Sequence, residues 1–106
     1  MNKKRQNTII DAVNYLRSAY NVPNEQLKSY KKSMKKDEAQ DSYLFSEDTP
    51  ISDRAYRTFM AWYRHTQTTY DEDISSISDK NTQISIKKLY NTRIRNTMLH
   101  WREKGL

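Results

Sequence analysis

The chain has no cysteine, so disulfides, thiolate metal sites and thiol chemistry are excluded. It has one glycine and two prolines, too few for a glycine-rich phosphate loop or for the many tight turns of an all-β domain. Histidine occurs twice, at His65 and His100, without metal-ligand spacing, and no G-x-S-x-G or H-E-x-x-H is present. No catalytic residue, cofactor or metal is therefore expected, and the chain does not read as an enzyme. Long apolar runs are missing too. After the basic MNKKRQ only Ile9 and Ile10 precede Asp11, which is no signal peptide, and nothing approaches the ~20 apolar residues of a membrane span. No membrane partner is expected, and a soluble, cytoplasmic protein is the default.

What is present is charge, tyrosine and helical periodicity. A length of 106 residues allows one domain, expected to be a single helical domain over 1–106 with a short flexible basic arm at about 1–6. Hydrophobic residues make up 35% against 30% charged, so the core must be thin. Eight tyrosines and two tryptophans offset this, since each ring can bury ~150–250 Å². A thin core with so many aromatics points to a homodimer.

The expected fold is all-α, a small bundle of four main helices plus a short connector helix. Residues 7–20 place Ile9, Ala12, Val13, Leu16 and Tyr20 on one arc, with Asn7 or Thr8 as cap. Pro23 breaks the chain and opens a second helix running to Asp37 or beyond, whose apolar face is Leu27, Tyr30 and Met34. An acidic loop follows around Tyr43, Leu44 and Phe45. Thr49, Pro50 and Asp53 then start a third helix, with Ile51, Ala55, Phe59, Trp62 and Thr66 inward and Arg57 and Arg64 outward. Asp71, Glu72 and Asp73 suit the first turn of a short helix. The last helix runs from about Thr82 to Lys104, with Ile86, Leu89, Tyr90, Ile94, Thr97, Met98 and Trp101 as a wide core face and Gly105 as its stop.

The net charge of +6 is segregated in blocks. Residues 1–36 hold nine Lys or Arg against Asp11 and Glu25, and residues 37–53 hold six acids and no base. Residues 71–79 hold four acids, and 80–106 hold seven bases against Glu103. Three rows of bases stand out: Lys28, Lys32 and Lys35; Arg57 and Arg64; and Lys88, Arg95 and Arg102, repeating every seven residues opposite the core face. A basic domain with Lys and Arg on one face is the footprint of phosphate binding. An ordinary solvated lysine face explains the first row as well.

Phe59 to Asp71 is the densest stretch in side chains capable of specific work. Arg64-His65-x-x-Thr68-x-Tyr70-Asp71 resembles the R-H-x-x-T-x-Y-D signature of a family of bacterial and phage domains of unknown function. The resemblance spans roughly residues 50–104, with Trp101-Arg102 where that family ends its basic last helix. It implies no activity. Two physical readings of the motif stand side by side. In one, Asp71 caps a helix and pairs with Arg64 or His65, Thr68 bonds free carbonyls and Tyr70 packs; in the other, Arg64, His65 and Tyr70 donate to a phosphate or stack on a base. Two weaker echoes are residues 51–57, like the start of a helix-turn-helix reading helix, and residues 92–106, like that of a winged helix.

Together these features predict a small basic nucleic-acid-binding accessory or regulatory protein, of phage or mobile-element type, with DNA favoured over RNA. Its candidate contacts are Lys28, Lys32, Lys35, Arg57, Arg64, His65, Tyr70, Lys88, Arg95 and Arg102. The alternative is a helical interaction module, of inhibitor or immunity type, docking on an acidic protein surface or through Tyr43, Leu44 and Phe45.

Overall fold

The computed structural model describes residues 2–36 and 42–105. It is all-α, with helices α1 (Lys3–Tyr20), α2 (Asn24–Met34), α3 (Ile51–Thr66), α4 (Tyr70–Ser75) and α5 (Lys80–Lys104), and a 3₁₀ turn at Tyr43–Phe45. No strand occurs among the described residues. Four long helices and one short connector match the architecture expected from periodicity.

α1 and α3 form the central pair; α5 and the 3₁₀ turn pack against both, α2 lies along α1, and α4 bridges α3 and α5. The arc Ile9, Ala12, Val13 and Leu16 meets Ala55 and Phe59 in one core, joined by Leu27 and Tyr30 of α2, Leu44 of the 3₁₀ turn, and Ile94 and Met98 of α5. Phe59 is the hub of its aromatic part, with Tyr30 at 5.5 Å, Trp62 at 5.4 Å, Tyr63 at 6.0 Å and Trp101 at 6.3 Å between ring centroids. α2 is locked onto α3 by two polar bonds across this core: Tyr30 OH with Thr58 Oγ1 at 2.7 Å, and Trp62 Nε1 donating to Ser33 Oγ at 3.0 Å.

Burial pushes the Tyr30 phenol up to about 12, against a smaller pull the other way from its Thr58 bond. A raised folded-state pKa means that the unfolded chain loses this proton first. Stability is thus complete below about pH 10, where a free tyrosine titrates, and drains away as pH rises toward about 12. Tyr30→Phe should cost about 0.5–1.5 kcal/mol at neutral pH, the net value of one such bond. It should also shrink the alkaline loss, as read from urea melts at stepped pH.

The structure corrects several boundaries. The expected basic arm is the first turn of α1, because Asn2 rather than Asn7 or Thr8 caps the helix by accepting from Arg5 N at 2.8 Å. Lys4 pairs with Glu47, and the Arg5 guanidinium lies 4.6 Å over the Phe45 ring, so the start of α1 meets the 3₁₀ turn and the segment after it. α2 stops at Met34, with Lys35 and Lys36 in the turn that follows, and the expected end at Asp37 falls outside the described residues. Thr49 does not cap α3; its carbonyl instead accepts from Arg54 Nε at 2.8 Å. α5 starts two residues earlier than expected, since Asp79 accepts from Thr82 N at 2.9 Å.

At its other end α5 has Gly105 as its C-cap, where close approach rather than a left-handed conformation favours glycine. Gly105 has an ordinary φ of −81°, but a Cβ there would come within 2.9 Å of the Asn21 side chain. The left-handed residue is Asn21 itself, at φ 52°, which ends α1 and donates from Nδ2 to Trp101 O at 3.1 Å. The junction thus ties the end of α1 to the end of α5.

The expected wide core face of α5 narrows to buried Tyr90, Ile94 and Met98, with Trp101 half-buried against the same core. Leu89 is 50% exposed and Ile86 only partly covered. Twenty-five residues rise ~37 Å, nearly the 42 Å length of the molecule, and in the first turns of α5 Gln83 Nε2 donates to the Ile77 carbonyl just after α4. Thr66, expected inward, is exposed on the last turn of α3. The helix-turn-helix echo at 51–57 lies on the helix that carries the core, burying Ala55, Thr58, Phe59 and Trp62 on one face and exposing Arg57 on the other. The winged-helix echo lacks its strands among the described residues.

Candidate nucleic-acid interface

The Arg64–Asp71 motif holds three of the ten candidate contacts, Arg64, His65 and Tyr70. The polar run after Thr66 ends α3, as hydroxyl and amide side chains compete for backbone hydrogen bonds. Thr68 Oγ1 donates back to the Arg64 carbonyl and accepts from Tyr70 N at 3.2 Å, which turns the chain into α4. The turn swings Tyr70 over α3, where its ring lies 5.1 Å from the Arg64 guanidinium and 5.4 Å from the Tyr90 ring. Tyr90 OH donates to Asp73, closing α4 onto α5.

Arg64 is consequently 6% exposed, and its Nη1 donates to Asn91 Oδ1 at 2.6 Å. This corrects the expected outward pair of arginines. Arg57 and Arg64 share one helical line, but α4 and α5 cover the second and leave the first in solvent. Tyr70 is buried as well and offers no face for stacking. His65 is exposed, with Nδ1 2.6 Å from Asp71 Oδ1. The motif therefore works as a clasp. Asp71 meets His65 rather than Arg64, and it lies in the first turn of α4 without capping it. Exposed pairs of this kind contribute about 0.2–1 kcal/mol.

Arg57 is also committed. Its Nε donates to Asp53 Oδ1 at 3.1 Å, and its guanidinium stands 5.8 Å over the Tyr43 ring. The Tyr43 hydroxyl, donating to Asp53 Oδ2 at 2.7 Å, together with Arg57 holds the Asp53 carboxyl below its ordinary range.

Two rows remain exposed. Lys28, Lys32 and Lys35 lie on α2 and its C-cap; Lys88, Arg95 and Arg102 lie on α5. None of the six has an acidic partner among the described residues. They do not share one flank of the bundle. At about 100° per residue, Thr58 and Trp62 turn one side of α3 to α2, while Tyr56, Met60 and Tyr63 turn another to α5.

The α5 row differs from its expected place in one respect. Arg95 follows buried Ile94, so the row runs along the edge of the core face rather than opposite it. There it borders a file of half-buried tyrosines. Arg102 lies 5.7 Å over the Tyr20 ring, Tyr20 leans on Tyr56 at 5.7 Å, and Tyr15 stands edge-on to Tyr20 at 6.2 Å. Lys88 and Arg95, with Asn91 and Thr92 between them, line a hollow of ≈ 390 Å³ whose other wall is Tyr56 and Met60. The Tyr56 hydroxyl is pushed up by burial and by neighbouring Tyr20, against a smaller pull downward from Arg95.

Tyr20, Tyr56, Met60, Asn91 and Thr92 were not among the contacts read from the sequence. The signal for Tyr56 and Met60 was a second stripe on the third helix, Tyr56, Met60 and Tyr63, spaced four and three residues apart beside the main core arc. Among the described residues no group of three or more His, Cys, Asp or Glu is placed to hold a metal, and no helix is long and apolar enough to cross a membrane. No family model, curated protein or solved structure matches the chain.

Proposed function

We propose that this protein binds nucleic acid through its phosphates, as an accessory or regulatory factor, using the flank of α5. The observation that carries the reading is the row Lys88, Arg95 and Arg102, exposed, without acidic partners among the described residues, and bordered by Tyr56 and Tyr20. Cations without an internal carboxylate partner are available to replace the counterions of a phosphate backbone. Tyrosines beside them add rings on which bases stack. The exposed lysines of α2 form a separate positive surface that attracts the same polyanion without sharing the site.

The test is a mobility shift at two salt concentrations with single- and double-stranded probes. Binding should weaken steeply with salt, the slope of log affinity against log salt being about −0.7 for each phosphate engaged on a single strand and about −0.9 on duplex DNA. No shift at low salt with micromolar protein would sink the reading. It would favour a protein partner, for which exposed Tyr43, held by Asp53 beside Arg57, is the best-formed contact.

A further inference from the structure

We infer that the hollow between α3 and α5 takes an unpaired base, so that the preferred ligand is a single strand. The inference rests on the phosphate-binding reading above and adds the chemical form of the ligand. Two kinds of wall face each other across the ≈ 390 Å³ hollow. Tyr56 and Met60 from α3 supply a flat, apolar side; Lys88 and Arg95 from α5 supply cations two helical turns apart, a rise of ~10.5 Å. The size falls within the ~300–1,000 Å³ range of small-ligand sites.

Asn91 gives the hollow a polar centre. Its Oδ1 is occupied by the Arg64 guanidinium, which orients the amide and leaves its NH₂ group as the donor for a base-edge acceptor. Arg64 is buried with no carboxylate partner among the described residues, so it also places a positive charge behind this wall. An apolar face, a central amide donor and flanking cations suit a base held between two backbone phosphates. In a duplex the base faces are stacked inside and cannot reach Tyr56. An unpaired strand presents them, and stacking on an aromatic ring is tolerant of sequence.

The test compares three probes at one salt concentration: oligodeoxythymidylate, an abasic strand of equal length, and a duplex of equal length. The unpaired strand should bind about tenfold tighter than the other two, a typical gain for one stacked base. Tyr56→Leu, which keeps the apolar volume, should remove that advantage while leaving affinity for the abasic strand unchanged; Tyr56→Phe should retain it. Equal binding of all three probes by the unaltered protein, with steep salt dependence, overturns the base site and leaves phosphate binding in place. A Tyr56→Leu loss equal for thymidylate and abasic strands overturns it too, since the ring would then be shaping the fold. No binding of any probe removes both readings.

Discussion

Replacing Lys88, Arg95 and Arg102 together with alanine is expected to flatten the slope of log affinity against log salt by about 2–3 units. At low salt the same variant should bind about a hundredfold more weakly or worse, because counterion release contributes most when bulk salt is dilute. The helix itself should persist. All three side chains are exposed, and alanine is the best helix former. Arg102 alone makes a ring contact, over Tyr20, so its truncation carries a local cost of about 0.5–1 kcal/mol. Circular dichroism melts alongside the titrations separate loss of contact from loss of fold. Alanine at Lys28, Lys32 and Lys35, on the other flank of α3, should lower affinity more gently and leave the preference for an unpaired strand intact. If the two triple variants behave alike, binding is diffuse attraction to a basic protein and α5 has no special part.

Phe59→Ala should cost about 3–5 kcal/mol, the usual range for deleting a buried ring. Phe59 is 0% exposed and touches rings from α2, from its own helix and from α5. Its loss would leave a void shared by α2, α3 and α5, of which α2 is tied to α3 by Tyr30 and Thr58 and α5 to the end of α1 by Asn21, so they cannot collapse freely. Set against the about 5–15 kcal/mol that holds a typical domain together, this brings a thin-cored chain close to unfolding. Urea titration should show a much lower midpoint with little change in slope. Leu89→Ala, at a half-exposed position beyond the core, should move the midpoint within error. A large Leu89 effect would mean that this end of α5 is covered in solution.

The sequence by itself determined the helices and most of their inward residues. Ile9, Ala12, Val13 and Leu16, then Leu27 and Tyr30, then Ala55, Phe59 and Trp62, then Ile94 and Met98 are all buried as their spacing requires. That information is local, because a helix repeats every ~3.6 residues and an apolar stripe marks its inner side whatever it packs against. Which element covers which stripe is not local. Arg57 and Arg64, seven residues apart on one line, are equivalent in sequence, yet one is exposed and the other buried, because Thr68 turns α4 back across the end of α3 and Asn91 arrives from α5. The same long-range placement brings the row Lys88, Arg95 and Arg102 beside Tyr20 and Tyr56, residues as many as 82 positions away in the chain. Spacing along one helix reports only its own angular order. The tertiary structure decided the pairing of faces, since that depends on how side chains from distant segments fit together in the core.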